Sequence, residues 1–120
     1  MAKRFSTVKT SGGAVVCAAC LVADGPWLRM KGLLGRRELP DGEGILLRPA
    51  SSIHMAFMRF PIDAVFCDRD LVVVGVERDL QPWKMARRKG AKVVIELAAG
   101  AAGGVEPGDR LFLETATMNS

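Results

Sequence analysis

The stretch that decides the fold is AVFCDRDLVVV, residues 64–74. Two apolar runs, 64–67 and 71–74, flank the polar residues Asp68, Arg69 and Asp70. β-Branched and aromatic residues favour strands, and a three-residue polar loop between two such runs is typical of a β-hairpin. Neither run alternates apolar with polar residues, so we expect both faces of this hairpin to be covered.

Short apolar segments elsewhere in the chain also predict strands, and glycines and prolines separate them. These segments are residues 14–22, 45–47, 53–57, 93–95 and 111–113. Residues 24–35 predict a short helix, and residues 98–104 predict one helical turn. The sequence therefore predicts a mainly β fold, a compact single-domain β-sandwich or barrel of six to seven short strands with one or two short helices. We expect one domain over residues 1–120, an ordered core over about 14–115, and an N-terminal arm or edge strand over 1–12.

Composition places the chain among ordinary globular proteins, with 120 residues, 49% apolar, 25% charged and a net charge of +4. The chain has one histidine and no tyrosine, and the single histidine excludes any site built on several histidines. Three cysteines do not make a disulfide framework, and no apolar run approaches the ~20 residues of a membrane-spanning helix. We therefore expect a reduced, cytoplasmic, soluble protein; the alternative is a signal peptide within residues 1–23.

Cys17 and Cys20 form a Cys-x-x-Cys motif inside an apolar run that predicts a strand. Residues three apart in a regular strand point to opposite faces, so the two sulfurs should neither pair nor share a metal. Cys67 and His54 bring the potential zinc ligands to four, but there is no second closely spaced pair. We therefore expect buried, inert cysteines, and we predict no metal and no cofactor.

His54 is the one side chain whose ordinary pKa lies near neutrality, and Arg59 and Asp63 follow it closely. One hypothesis is a small enzyme with His54 as general base and Arg59 or Asp63 in support. No nucleophile motif or phosphate-binding loop accompanies these residues. We therefore lean away from catalysis and predict no catalytic residue. Asp63 has an alternative structural interpretation, the acceptance of hydrogen bonds from nearby backbone N–H groups.

The positive charge is concentrated in two acid-free stretches. The first stretch contains Arg29, Lys31, Arg36 and Arg37, and the second contains Lys84, Arg87, Arg88, Lys89 and Lys92. If the stretches converge, they would attract anions or nucleic acid. Only Trp83 adjoins the second stretch, so the interleaved aromatic residues of a single-strand binder are missing. A nucleic-acid partner is therefore disfavoured, although anion or nucleic-acid binding stays as an alternative hypothesis.

Five ordered blocks resemble the family called domain of unknown function 192 (DUF-192). They are residues 32–36, residues 44–47, Met55 with 61–63 and 65–66, residues 96–100, and residues 107–109. The resemblance covers about residues 27–114 and implies a small, mainly β domain with no assigned activity, cofactor or catalytic residue. His54 stands where the family often has tryptophan, and residues 56–58 replace a polar stretch of the family.

Taken together, these observations predict a non-catalytic ligand- or protein-binding module with no membrane span. We expect its binding residues to be His54, Arg59 and Asp63, with Arg36 added to them. Each is polar or charged, and the first three flank an apolar segment in which Pro61 restricts the backbone. The sequence does not identify the small molecule or protein that binds there, nor an oligomeric state.

Overall fold

The structure is a computed structural model that describes residues 4–25 and 32–115. Within these residues, nine β-strands form the regular secondary structure. They are β1 Phe5–Thr10, β2 Val15–Ala23, β3 Glu43–Leu47, β4 Ser52–His54, β5 Ile62–Cys67, β6 Val73–Leu80, β7 Met85–Arg87, β8 Val93–Ala98 and β9 Leu111–Thr115. Within the described ranges there is no helix, and hence none that is long and apolar enough to cross a membrane. The mainly β prediction is confirmed.

The two predicted helical segments have different outcomes. The centre of the first, residues 26–31, lies outside the described residues. The second, residues 98–104, forms consecutive turns instead of a helix. Ala101 donates its N–H to the Ala98 carbonyl at 2.9 Å, and Gly100 has a φ of +94°. A positive φ at Gly100 interrupts helical backbone geometry, which explains why the segment turns without continuing as a helix.

Seven strands form one sheet in the order β6-β5-β8-β3-β2-β1-β9. The sheet curls until its two outer strands meet, where Val72 and Arg110 form a bridge. Beside it, Leu111 donates its N–H to the Leu71 carbonyl at 2.9 Å. The result is a curled, half-barrel-like sheet with sandwich-like layering, in which the outer strands touch only at this bridge, and it falls within the sandwich-or-barrel class that the sequence predicts. Residues 5–10, expected as an arm or edge strand, form β1 between β2 and β9.

The predicted hairpin is present as the antiparallel pair β5 and β6. The Asp68 carboxylate stabilises its turn by accepting the backbone N–H groups of Asp70 at 2.9 Å and Val72 at 3.0 Å. Every residue of β5 is buried, because β8 and β6 flank it within the sheet and apolar layers cover both of its faces. The expectation of two covered faces is therefore confirmed for β5.

The two faces of the curled sheet bury two separate apolar clusters. Val65 and Ile95 belong to the inner cluster, whereas their neighbours Phe66 and Val94 belong to the outer one. This alternation follows from the two-residue period of side chains along a strand. The outer cluster is covered in part by a small second sheet of β4 and β7, which directs Ile53 and Ala86 inward.

Arg88 connects the small sheet to β6. Its guanidinium lies 5.4 Å from the centroid of the Phe66 ring and donates a hydrogen bond to the Glu77 carboxylate at 2.7 Å. The side chain crosses Gly75, where an added Cβ would lie 2.7 Å from the Arg88 Cδ. Glycine at position 75 thus leaves room for the Arg88 side chain. Because Arg88 contacts both Phe66 and Glu77, it helps to fix the small sheet on the large one.

The expectation that Cys17 and Cys20 point to opposite faces is wrong. Ser6 pairs with Cys20 and Val8 with Cys17, so three residue steps on β2 oppose two on β1. This irregularity is a β-bulge, which resets the alternation and places both thiols in the inner cluster. A hydrogen bond from Cys20 lowers the pKa of the Cys17 thiol. Burial raises the pKa of the Cys67 thiol to about 12.

Candidate binding surface

Two tight turns of the same kind extend the small sheet. In residues 55–58 the Met58 N–H is donated to the Met55 carbonyl at 3.1 Å, and in residues 81–84 the Lys84 N–H is donated to the Gln81 carbonyl at 3.2 Å. The third residue of each turn has a positive φ, +65° at Phe57 and +71° at Trp83. This is the geometry of a type II turn, in which glycine or asparagine usually occupies that position. Both turns therefore place a bulky aromatic residue where its backbone is strained.

Backbone hydrogen bonds join the two turns to each other. The Met55 N–H is donated to the Lys84 carbonyl at 2.7 Å, and the Trp83 N–H is donated to the Met55 carbonyl at 2.8 Å. The aromatic rings consequently meet, with a centroid separation of 4.8 Å between Phe57 and Trp83 and an interplanar angle of 60°. The pair has the edge-to-face arrangement that aromatic rings prefer.

The aromatic pair projects into solvent instead of into either apolar cluster. Phe57 is 74% exposed, Trp83 is 65% exposed, and the nearby Met85 is also 65% exposed. Full burial of such side chains stabilises a fold by roughly 1.5–3 kcal/mol each, and this fold forgoes most of that gain. A contiguous exposed apolar patch with a polar rim is typical of an interaction site.

Positive charge is concentrated in the two segments that carry the aromatic pair. Residues 48–62 and 81–95, which contain the small sheet and both turns, include no aspartate or glutamate. Their exposed cations Arg59, Lys84 and Arg87 make no ion pair with a described carboxylate, and the same is true of Lys89 and Lys92. The surface therefore combines aromatic rings with uncompensated positive charge.

His54 and Arg59 lie at this surface. His54 is exposed on β4 and pairs in register with Met85 of β7, so their side chains are neighbours on the outward face. Arg59 is exposed directly after the turn that presents Phe57. We call the residues His54, Phe57, Trp83, Lys84, Met85 and Arg87 the aromatic face.

Asp63 and Arg36 lie elsewhere. Asp63 is 1% exposed within β5, and its carboxylate accepts three backbone N–H groups, from Asp79 at 2.9 Å, Gly100 at 3.0 Å and Ala102 at 2.9 Å. Arg36 is exposed in the loop before β3 and forms an ion pair with Glu43 at 3.2 Å. The structure thus groups two of the four predicted binding residues and gives the other two local partners. Arg29 and Lys31 of the first basic stretch lie outside the described residues.

Two features that often accompany a catalytic or metal site are not found among the described residues at the aromatic face. No described residue forms a hydrogen bond or ion pair with the His54 side chain, whereas a general base is usually oriented by such a partner. In residues 4–25 and 32–115 there is no group of three or more histidine, cysteine, aspartate or glutamate side chains that could hold a metal ion. The lysine and arginine side chains at this surface can attract an anionic group, and the exposed rings can contact a flat apolar part of the same molecule.

Sequence comparison identifies the family. The model of DUF192, described as "Uncharacterized ACR", matches residues 7–113. The chain belongs to the DUF192 family. No functionally curated protein matches this DUF192 chain.

Two solved structures share the DUF192 chain's fold. One, from Sinorhizobium meliloti 1021, is described as a "putative transcription regulator". Its sequence is 26% identical to this chain and the TM-score is 0.80, and the match covers 93% of this chain and 94% of that one. The other is a protein of unknown function from Novosphingobium aromaticivorans DSM 12444. It is 26% identical with a TM-score of 0.77, and the match covers 92% of this chain and 84% of that one.

Sequence reasoning missed the contribution of Phe57 to this DUF192 surface. Phe57 falls in an apolar segment that reads as a continuation of β4, but the strand ends at His54. The signal available in the sequence is Pro82 before Trp83, since proline favours the second position of a type II turn. The matching turn at residues 55–58 has no such proline, so only the tertiary structure brings Phe57 beside Trp83.

We expect Trp83→Gly to leave the free energy of unfolding of this DUF192 chain within about 1 kcal/mol of wild type. Relief of the strained φ should offset the lost ring contact and the greater entropy of the unfolded chain. Phe112→Gly is the matched control, because Phe112 is 42% exposed but lies in β9. There, glycine weakens the strand by about 0.5–1 kcal/mol relative to alanine, and the contacts of the ring are lost in addition, so this variant should lose clearly more stability than Trp83→Gly. Urea unfolding checks both, and a loss above about 2 kcal/mol for Trp83→Gly would show that the ring stabilises the fold.

Proposed function

We propose that this DUF192 chain is a non-catalytic binding module that recognises an anionic partner through the aromatic face. The observation that carries the proposal is the exposed Phe57–Trp83 pair on strained turns. A cluster that contributes little to burial and strains its own backbone is better explained by binding than by folding.

The charge of the surface supports an anionic partner. Lys84 and Arg87 lie beside the rings without a described carboxylate to neutralise them, and Arg59 follows the first turn. Arg88 is the exception, because its guanidinium is paired with Glu77 beneath the small sheet. The free cations therefore form a rim around an apolar centre, the usual layout of a binding surface.

The sequence predicts a binding site at His54, Arg59 and Asp63, and the present proposal keeps two of these three residues. His54 and Arg59 remain as surface residues that contact the partner. Asp63 is not part of the aromatic face in this proposal, and it instead holds the turn at residues 100–102. Arg36 contributes to the loop before β3 through Glu43.

Nucleic acid is a second candidate partner. The observation that favours it is the approach of Phe57 to Trp83, which supplies the aromatic residues that the sequence alone does not show together. A structural neighbour is also described as a "putative transcription regulator". That description belongs to the neighbour, and for this chain nucleic-acid binding is a proposal.

We further propose a cytoplasmic location and a single domain over residues 1–120. The three cysteines are free and buried, which suits a reducing compartment. The first and the last described strands, β1 and β9, pair with each other in the seven-stranded sheet, which supports one folding unit.

A titration with inorganic polyphosphate, a polyanion without aromatic groups, tests the proposed function at about 150 mM salt, where the screening length is ~8 Å. We expect wild type to bind and the double variant Lys84→Gln, Arg87→Gln to bind at least ten-fold more weakly. The charge-matched control is Arg69→Gln, Arg110→Gln, since both residues are exposed and belong neither to the small sheet nor to its two turns. Equal weakening by the two double variants would contradict a localised anion surface.

A further inference from the structure

We propose that the aromatic face binds single-stranded nucleic acid by stacking unpaired bases on Trp83 and Phe57. This inference rests on the proposed function and names the chemical class of its partner. It is argued from the geometry of the two turns, the exposure of the rings and the distribution of charge.

The rings are accessible and held in place, as a stacking platform requires. Their exposed fractions of 74% and 65% leave ring surface available to a partner. The hydrogen bonds from Met55 to Lys84 and from Trp83 to Met55 fix the turns relative to each other. A platform that is already ordered loses little conformational entropy when a base stacks on it.

The cations are placed to contact a phosphate backbone. Lys84 directly follows Trp83, and Arg87 lies two residues beyond Met85 on the same outward face of β7. Arg59 lies two residues beyond Phe57. Each ring therefore has a cation one or two residues away, and successive nucleotides alternate a flat base with a phosphate in the same way.

The same composition disfavours a protein partner. Interfaces between proteins are depleted of lysine and other charged residues in their core, whereas here Lys84 is a direct neighbour of the exposed rings. A double helix is also disfavoured, because its bases are stacked on each other and offer no free face to Trp83. Unpaired bases satisfy both the aromatic and the basic part of the surface.

The test is fluorescence anisotropy of a labelled 12-mer of thymidylate, at about 50 mM salt and then at rising salt. We expect Trp83→Leu and Phe57→Gly each to weaken binding about ten-fold or more, because base–aromatic stacking contributes ~1–3 kcal/mol per base. Trp83→Phe keeps an aromatic face and should stay within about three-fold of wild type. With about three phosphates contacted, the logarithm of the binding constant should fall with the logarithm of salt at a slope of roughly −2.

Phe112→Leu is the matched control, because Phe112 is a partly exposed aromatic residue that a cation, Arg110, also covers. It should leave the affinity unchanged. Trp83→Leu retains apolar bulk, so its effect separates stacking from simple hydrophobic contact. Thermal unfolding of each variant shows whether a loss of binding is a loss of folding.

Three results would overturn the inference. They are no binding of the 12-mer by wild type, equal binding by wild type and a folded Trp83→Leu, and equal competition by a duplex or by polyglutamate. Retained polyphosphate binding together with any of these would leave the proposed function standing without its nucleic-acid partner. Loss of both polyphosphate and oligonucleotide binding would contradict the two together.

Discussion

Asp63→Ala is expected to destabilise the protein by about 4–6 kcal/mol, roughly half or more of the stability of an ordinary domain. The carboxylate is 1% exposed and accepts the backbone N–H groups of Asp79, Gly100 and Ala102. Alanine offers no acceptor, and each buried N–H left unpaired costs about 1–3 kcal/mol. Urea unfolding measures the loss, and amide hydrogen exchange should accelerate at the three donor residues.

Two control variants make the Asp63 prediction quantitative. Asp63→Asn can retain an oxygen at the position that accepts both Gly100 and Ala102, so it should lose one hydrogen bond and about 1–3 kcal/mol. Asp109→Ala removes a carboxylate that accepts a single N–H, from Glu106 at 2.9 Å, and should cost about 1 kcal/mol. An Asp63→Ala protein within about 1 kcal/mol of wild type would show that water replaces the carboxylate.

The strands were predictable where local pattern and tertiary environment agree. Residues 64–67 and 71–74 are apolar, and most of them are β-branched or aromatic. They flank a polar loop and form most of β5 and the start of β6. The register of β1 and the position of β1 inside the sheet were not predictable, because long-range pairing decides them. The bulge in β2 was not predictable for the same reason. It depends on how β1 pairs with Cys17 and Cys20, and the sequence of β2 alone does not show this pairing.

Part of the binding surface was predictable from the local sequence around two of its residues. His54 and Arg59 are polar residues in an apolar segment, and the structure leaves both exposed. Asp63 has the same local signature but faces three backbone N–H groups contributed by distant segments. Phe57 reads as a core residue and is 74% exposed. Burial and partners of a single side chain follow from tertiary packing, which a one-dimensional pattern does not specify.

Glu96 lies in the middle of the outer apolar cluster and controls how stability responds to pH. It shares a face of β8 with Val94 and Ala98, and its neighbours in register are Ile45 on β3 and Ala64 on β5. It is 6% exposed, and none of the described residues donates a hydrogen bond to its carboxyl group. Burial raises the pKa of Glu96 from 4.5 to about 7, because removing water penalises the charged form.

The sign of the pH dependence follows from proton counts. Between pH 4.5 and about 7 the folded protein holds a proton on Glu96 that the unfolded chain has released. The free energy of unfolding therefore falls as pH rises through this window. Below pH 4.5 and above about pH 7, the titration of Glu96 no longer changes it. The whole change amounts to about 3 kcal/mol.

Glu96→Gln removes this titration while keeping a neutral side chain of similar size. We expect the variant and wild type to have similar free energies of unfolding at pH 4.5, and the variant to be about 3 kcal/mol more stable at pH 8. Glu38→Gln is the control for loss of one negative charge, because Glu38 is exposed and makes no ion pair with a described residue. Urea unfolding of the three proteins across pH 4.5–8 checks the prediction. A difference between wild type and Glu96→Gln that does not change with pH would contradict the prediction, because it would mean that Glu96 has the same pKa in the folded protein and in the unfolded chain.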